Sequence, residues 1–147
     1  VYECNFKCSC PPNCGNRVSQ LIPDIEFSIF QTEAAGFSVK SLTDIPVGSF
    51  ITNYLGELIS LAEFTNRSTS GKNMEYIFEI GVSKNNTCEY MVDCFEMGNI
   101  SRFFNHSCDP NMAVYAVYID TPDPTRHNLG FYAIKPITFG EEITFDY

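Results

Sequence analysis

The chain has 147 residues, 44% of them apolar and 18% charged, with 13 Phe and 8 Tyr. That is enough for one packed domain, too short for two comfortable ones, and it excludes wholesale disorder. Nine basic residues against eighteen acidic give a net charge of −9, which sets the surface against nucleic-acid phosphates and favours a basic partner such as a Lys/Arg-rich peptide, although an acidic surface also serves solubility alone.

The chain opens on Val1 with neither a basic n-region nor an apolar h-region, so it reads as a segment of a longer polypeptide. Residues 1–20 are rich in cysteine and turn formers and show no apolar periodicity, so this lobe is expected to lack a core and to be held by metal. From about residue 25 apolar and polar residues alternate, and Ile25, Phe27 and Ile29 read as one face of a strand. Phe37 to Leu42 reads as a second strand. Pro46-Val47-Gly48 is a break, and Phe50 to Leu58 reads as a third strand. Ser60-Leu61-Ala62-Glu63 matches a capping box and predicts a short helix over 60–67, followed by a polar loop over 66–74. Glu75 to Ile80 and Cys88 to Asp93 read as strands around a Lys84-Asn85-Asn86 turn, and Asn99 to Asn105 as a helical turn. Met112 to Ile119 reads as a strand ended by Thr121-Pro122-Asp123-Pro124. Leu129 to Ile134 and Ile143 to Tyr147 are the last two strands, separated by a turn over Pro136 to Gly140. Many short strands with one or two short helices indicate a mainly β domain, and no apolar run approaches the roughly 18 residues of a membrane span.

Seven cysteines admit two readings. A secreted disulfide module is one, helped by glycosylation-type triplets at Asn66, Asn85, Asn99 and Asn105. A thiolate metal site is the other. The odd count argues mildly against full pairing, and the C-x3-C-x-C-x3-C spacing of Cys4, Cys8, Cys10 and Cys14, among Pro11, Pro12, Asn13 and Gly15, concentrates sulfurs where turns can aim them at one ion.

Two segments are polar where a core would be apolar: Arg102-Phe103-Phe104-Asn105-His106-Ser107-Cys108-Asp109-Pro110-Asn111, and Gly140-Glu141-Glu142-Ile143-Thr144-Phe145-Asp146-Tyr147. Together they closely resemble the two signature motifs of SET-domain protein lysine methyltransferases. Tyr54-Leu55-Gly56-Glu57 is similar to that family's Y-x-G-E strand, and Gly36-Phe37-Ser38-Val39 sits where it carries a G-x-G cofactor turn. The run from Tyr2-Glu3-Cys4 to Asn16-Arg17-Val18 resembles the end of a pre-SET zinc lobe, the mark of the Su(var)-type branch, whose usual substrate is lysine nine of histone H3.

The resemblance implies a zinc-lobe remnant over 1–20, and over 21–147 a SET fold of small sheets around a C-terminal segment in a knot-like crossing that brings Asn105 and His106 against Tyr147. It implies S-adenosylmethionine-dependent methylation of a histone H3 tail on chromatin in the nucleus, without direct nucleic-acid binding, and with zinc as the metal. Tyr147 is the implied catalytic tyrosine, and Tyr54 lines the implied lysine channel. Phe145 stands at the Phe/Tyr switch position, which implies a di- or trimethyl product. Gly36, Phe37, Ser38, Tyr76, Arg102, Asn105 and His106 are the implied cofactor contacts, and Cys108 the implied thiolate of a post-SET zinc site. Plainer readings stand beside these: strand-end or core aromatics for Tyr147, Tyr54, Tyr76 and Phe145, a structural turn for His106, and an exposed ion pair for Arg102.

The chemistry is consistent with these roles. The amine that attacks a sulfonium-bound methyl must be neutral, yet a free Lys has a pKa of about 10.4. A narrow apolar channel disfavours the ammonium, aromatic faces tolerate methylated cations, and a tyrosine hydroxyl can orient the amine. Two departures stand out. Ser38 replaces the second glycine of the cofactor turn, placing a Cβ where backbone is expected to approach the cofactor. Gly81 replaces an acidic residue that helps read the neighbour of the target lysine; Glu79, on the same strand parity, is a candidate substitute. These motivate an alternative, a catalytically degenerate module that binds a tail or partner.

Overall fold

The computed structural model describes residues 1–33, 36–71, 74–82, 88–119 and 126–147. The predicted Lys84-Asn85-Asn86 turn and the Thr121–Pro124 break fall outside them. The described strands are β1 (Phe27–Gln31), β2 (Phe37–Ser41), β3 (Phe50–Asn53), β4 (Glu57–Ser60), β5 (Ile77–Val82), β6 (Cys88–Asp93), β7 (Asn105–His106), β8 (Met112–Val117), β9 (Asn128–Ala133) and β10 (Thr144–Phe145). One helix, α1, spans Leu61–Thr69, and 3-10 turns occupy Val18–Gln20 and Ile100–Phe103. The mainly β expectation holds.

The chain divides into two compact units. The first comprises residues 1–17, 54–102 and 116–129. Its sheet runs β4-β6-β5, antiparallel throughout, with Glu57 opposite Asp93 and Phe78 opposite Val92. Ile59, Ile80, Met91 and Cys94 are buried there. The N-terminal segment is pinned by backbone: Tyr2 bridges Tyr118 in parallel, with the two rings stacked at 4.7 Å. Within the cysteine lobe Cys4 N–H donates to the Asn16 carbonyl at 2.8 Å, and most of residues 4–16 are exposed or half-buried, as expected of a lobe without a core.

The second unit comprises residues 18–53, 103–115 and 130–147. It holds the β1–β2 hairpin, in register from Phe27 opposite Ser41 to Gln31 opposite Phe37, the pairing of β3 with β9, and the parallel pair β7–β10. Val39, Ile51, Phe131 and Ile143 are fully enclosed. Phe131 is the aromatic centre: Phe104 meets it edge-on at 5.4 Å and Phe145 at 5.0 Å, a geometry that ring quadrupoles favour.

Two expectations are corrected. The predicted strand from Phe50 to Leu58 is two strands, β3 paired with β9 and β4 paired with β6, with a change of partner between them. Gly56 permits the junction: a Cβ there would lie 2.5 Å from the Asp93 carbonyl oxygen, inside any tolerable contact. The helix runs on to Thr69 where a loop was expected. It buries no residue, so its polarity carries no information about its end. Local bonds extend it instead: Thr65 and Thr69 hydroxyls donate to carbonyls four residues back, and Arg67 bonds Glu63 one turn earlier. The N-cap half of the predicted box is present, with the Glu63 N–H donating to the Ser60 hydroxyl at 3.3 Å, while the Glu63 carboxylate turns to Arg67.

Candidate active site

In the second unit the C-terminal segment lies beside the Asn105-His106 strand. Thr144 pairs with Asn105 and Phe145 with His106, and Ser107 N–H donates to the Phe145 carbonyl at 3.0 Å. This short parallel pair fixes the residues that follow it. Tyr147 N–H donates to His106 Nδ1 at 3.1 Å, and the Tyr147 hydroxyl donates to the Phe104 carbonyl at 2.9 Å. The same Nδ1 lies 3.5 Å from Asp146 Oδ1, and Nε2 faces Cys108 Sγ at 3.3 Å. Phe145 is buried beneath the Tyr147 ring at 4.8 Å, while Tyr147 is 75% exposed. An exposed phenol therefore stands on an apolar floor with its hydroxyl proton committed to a backbone carbonyl.

Asn111 clamps the same segment from below. Its side-chain amide donates to the Glu142 carbonyl at 2.7 Å and to Glu141 Oε1 at 3.0 Å, and it accepts from Thr144 N–H at 3.0 Å. Hydrogen bonds from the Thr138 backbone N–H first, and then from Asn111, hold the Glu141 carboxyl below its ordinary value.

The glycine turn occupies the same unit. Gly36, at φ 73°, leads into β2. Phe37 is half-exposed and meets Phe103 edge-on at 6.0 Å. Ser38 is fully enclosed within β2, opposite Phe30, where an extended backbone accepts a Cβ without strain. Its hydroxyl donates to Glu142 Oε1. Asn105 Nδ2 reaches the Phe37 carbonyl at 3.3 Å and the same Glu142 oxygen at 3.4 Å.

The remaining candidates belong to the first unit. Tyr54 is buried, and its hydroxyl donates to the Tyr76 carbonyl at 2.9 Å and receives the Cys94 thiol at 2.7 Å. Burial pushes the Cys94 thiol up, which keeps it a protonated donor. The Arg102 guanidinium lies over the Tyr76 ring at 4.8 Å, a cation–π contact. Gly81 is buried at φ 72° within β5, whose register with β6 is unbroken from Ile77 opposite Asp93 to Val82 opposite Cys88; Glu79, two residues before it, is exposed.

Three of the four N-terminal cysteines converge. The sulfurs of Cys4, Cys10 and Cys14 all lie within 4.8 Å of one another. Tetrahedral zinc, with Zn–S bonds of about 2.3 Å, needs sulfurs about 3.8 Å apart, so the group fits three ligands of such an ion after a small contraction. The Arg17 guanidinium, 3.6 Å from Cys10 Sγ, lowers that thiol toward the thiolate a metal requires. The Asn16 amide pulls Cys4 down, but bonding to Cys10, burial and bonding to Cys14 outweigh it and push Cys4 up to about 11. Cys8 stands apart, exposed, its sulfur accepting from Asn5 N–H at 3.4 Å, and Cys108 lies beside His106. No disulfide joins any of the seven cysteines.

Sequence reasoning assigned no role to Asn111, Glu142, Cys94 or Arg67. The first two lie inside the polar segments already singled out, so polarity in a packed motif was their signal. Cys94 acts through Tyr54, distant in sequence, and no local pattern marks it; Arg67 has a local i,i+4 partner in Glu63, but its contacts with Glu57 and Asp93 depend on the fold.

Residues 36–147 match the family model described as SET domain. The histone-lysine N-methyltransferase, H3 lysine-9 specific, of Schizosaccharomyces pombe is 43% identical over 100% of this chain and 30% of its own length. Arabidopsis thaliana SUVH6, solved in complex with SAM, superposes with a TM-score of 0.89 at 34% identity over 100% of this chain and 32% of that one. KRYPTONITE, solved in complex with methylated DNA, an H3(1-15) peptide and SAH, gives a TM-score of 0.86 at 33% identity, covering 100% of this chain and 28% of that one. The chain spans about a quarter to just over a third of the length of the curated relatives it matches. With the motifs, the small sheets and the parallel β7–β10 pair in agreement with that match, the chain belongs to the SET-domain family.

Proposed function

We propose that the protein carrying this chain is a histone-lysine N-methyltransferase that uses S-adenosylmethionine and acts in the nucleus, on chromatin, at lysine nine of the histone H3 tail. The observation that carries the reading is the Tyr147 hydroxyl, whose proton is committed to the Phe104 carbonyl and whose backbone N–H is clasped by His106. A phenol that donates its proton in this way acts toward a substrate amine as an acceptor. The net charge of −9 favours a basic tail, and the relatives named for H3 lysine 9 supply the target.

The donor set fits the cofactor, which supplies an activated methyl on a sulfonium sulfur. We assign to it Arg102, whose guanidinium suits a carboxylate, Phe37, whose exposed aromatic face suits a purine, and the polar and backbone groups of Gly36, Ser38, Asn105, His106 and Tyr76. We assign Tyr54 and Tyr147 the lysine-channel roles that the family resemblance implies; an apolar channel favours the neutral amine. Phe145 brings no hydroxyl to the floor beneath Tyr147, and that supports a di- or trimethyl product. Residues 1–20 are the zinc-lobe remnant, with Cys4, Cys10 and Cys14 on one ion, Cys8 available to a neighbouring one, and Cys108 serving a second zinc site.

Mass spectrometry of histone-tail peptides incubated with the full-length protein and S-adenosylmethionine tests this. Successive additions of about 14 Da, one CH₂ for each displaced proton, are expected on the H3 peptide. Phe145→Tyr should stop the series early. A zinc-loaded, folded protein that binds the peptide and modifies none would instead be a binding module.

A further inference from the structure

The Ser38–Glu142–Asn105 chain has no counterpart in a turn that carries glycine at the second position. Ser38 is fully enclosed, and its hydroxyl ends on the Oε1 of Glu142 that also takes the Asn105 amide. The scaffold around it is stiff: Ser38 is paired with Phe30, Lys40 bridges Glu142, and Ile143 N–H donates to the Val39 carbonyl at 2.9 Å. The hydroxyl and the carboxylate therefore sit on backbones tied to each other on both sides. The Asn105 contacts downstream are longer, 3.3 Å to Phe37 and 3.4 Å to Glu142, and depend on where that carboxylate is held.

From this geometry we infer that Ser38 is a positioning residue for the cofactor. Its hydroxyl fixes the Glu142 carboxylate, and the carboxylate fixes the Asn105 side-chain amide. With Nδ2 committed to Phe37 and Glu142, the planar amide's orientation is set, and its Oδ1 serves as an acceptor for an N–H group. S-adenosylmethionine and S-adenosylhomocysteine each carry two such groups, an α-ammonium and a 6-amino group. Replacing the family's glycine by serine thus adds a support to the cofactor site instead of obstructing it. The inference rests on the cofactor reading given above.

The test is calorimetric binding of S-adenosylhomocysteine to the full-length protein as wild type, Ser38→Ala, Ser38→Gly, Glu142→Gln and the Ser38→Ala/Glu142→Gln double variant. Loss of one relayed hydrogen bond is expected to weaken binding about threefold to tenfold in Ser38→Ala and Ser38→Gly. In steady-state assays the KM for cofactor should rise by the same factor while the KM for peptide stays put, a split that general loosening of the fold does not produce. In the Glu142→Gln background Ser38→Ala should add little, because the relay is already cut. Ser38→Ala binding as tightly as wild type, or raising both KM values together, overturns the inference and leaves the cofactor reading standing. Wild-type protein that binds no S-adenosylhomocysteine overturns the reading, and the inference with it.

Discussion

Arg67 is the most exacting stability test the structure offers. Its guanidinium meets Glu63 at 2.8 Å, Glu57 at 2.9 Å and Asp93 at 2.7 Å. Glu57 and Asp93 face each other across the β4–β6 ladder, an arrangement of like charges that costs stability unless a cation lies between them. The three pairs are not equal. Glu63 and Glu57 side chains are 45% and 43% exposed, so each pair contributes only about 0.2–1 kcal/mol. The Asp93 side chain is 6% exposed, and stripping the partner from a buried charge costs about 3–5 kcal/mol. Asp93 keeps the Phe95 N–H at 2.9 Å, which puts the cost near the lower end, about 3 kcal/mol. Arg67→Met, which retains the apolar stem, should therefore lose about 3–4 kcal/mol in chemical denaturation and roughly 10 °C in melting temperature. Asp93→Asn placed on Arg67→Met should recover most of that loss, whereas Glu63→Gln alone should change stability by less than about 1 kcal/mol. If Arg67→Met lies within about 1 kcal/mol of wild type, or Asp93→Asn rescues nothing, the assignment of the energy to Asp93 is wrong.

Three further outcomes follow from geometry already given. Gly56→Ala puts a Cβ 2.5 Å from the Asp93 carbonyl and should cost about 1–3 kcal/mol by denaturation; a neutral result would mean that the β3–β4 junction relaxes freely. Glu141 has a depressed carboxyl, so its stabilisation is full above the ordinary value of 4.5 and is lost as pH falls through its lower folded value. The stability gap between wild type and Glu141→Gln should accordingly be present at neutral pH and close in acid, and a pH-independent gap refutes the linkage. Metal analysis should find zinc that a chelator removes with a fall in melting temperature, and Cys10→Ser should carry less of it; unchanged zinc content in that variant would remove Cys10 from the ligand set.

What was legible in the sequence was local. Period-two alternation located β2 and β6 to within a residue, and the Ser60–Glu63 cap located the start of α1, because each depends on neighbours a few residues away. The motifs around Asn105 and Tyr147 marked these segments of the second unit before their contact could be seen. The split at Gly56 was not legible, since it depends on Asp93, thirty-seven positions later, approaching the glycine. Neither was the continuation of α1 through polar residues, nor the Cys94 thiol under Tyr54. Ser38 looked like an obstruction in the sequence because only its Cβ could be considered; its enclosure and its Glu142 partner belong to the fold.

The central claim is that a tyrosine hydroxyl at the end of this chain serves methyl transfer to lysine nine of H3. The most direct test gives the full-length protein S-adenosylmethionine and an H3 tail peptide, alongside Tyr147→Phe and a peptide with arginine at position nine. The account predicts methylation of the natural peptide, none of the arginine peptide, and a rate for Tyr147→Phe lower by about 10²–10³ with cofactor binding retained. Equal rates for wild type and Tyr147→Phe, or methylation of the arginine peptide at the same rate, would contradict it.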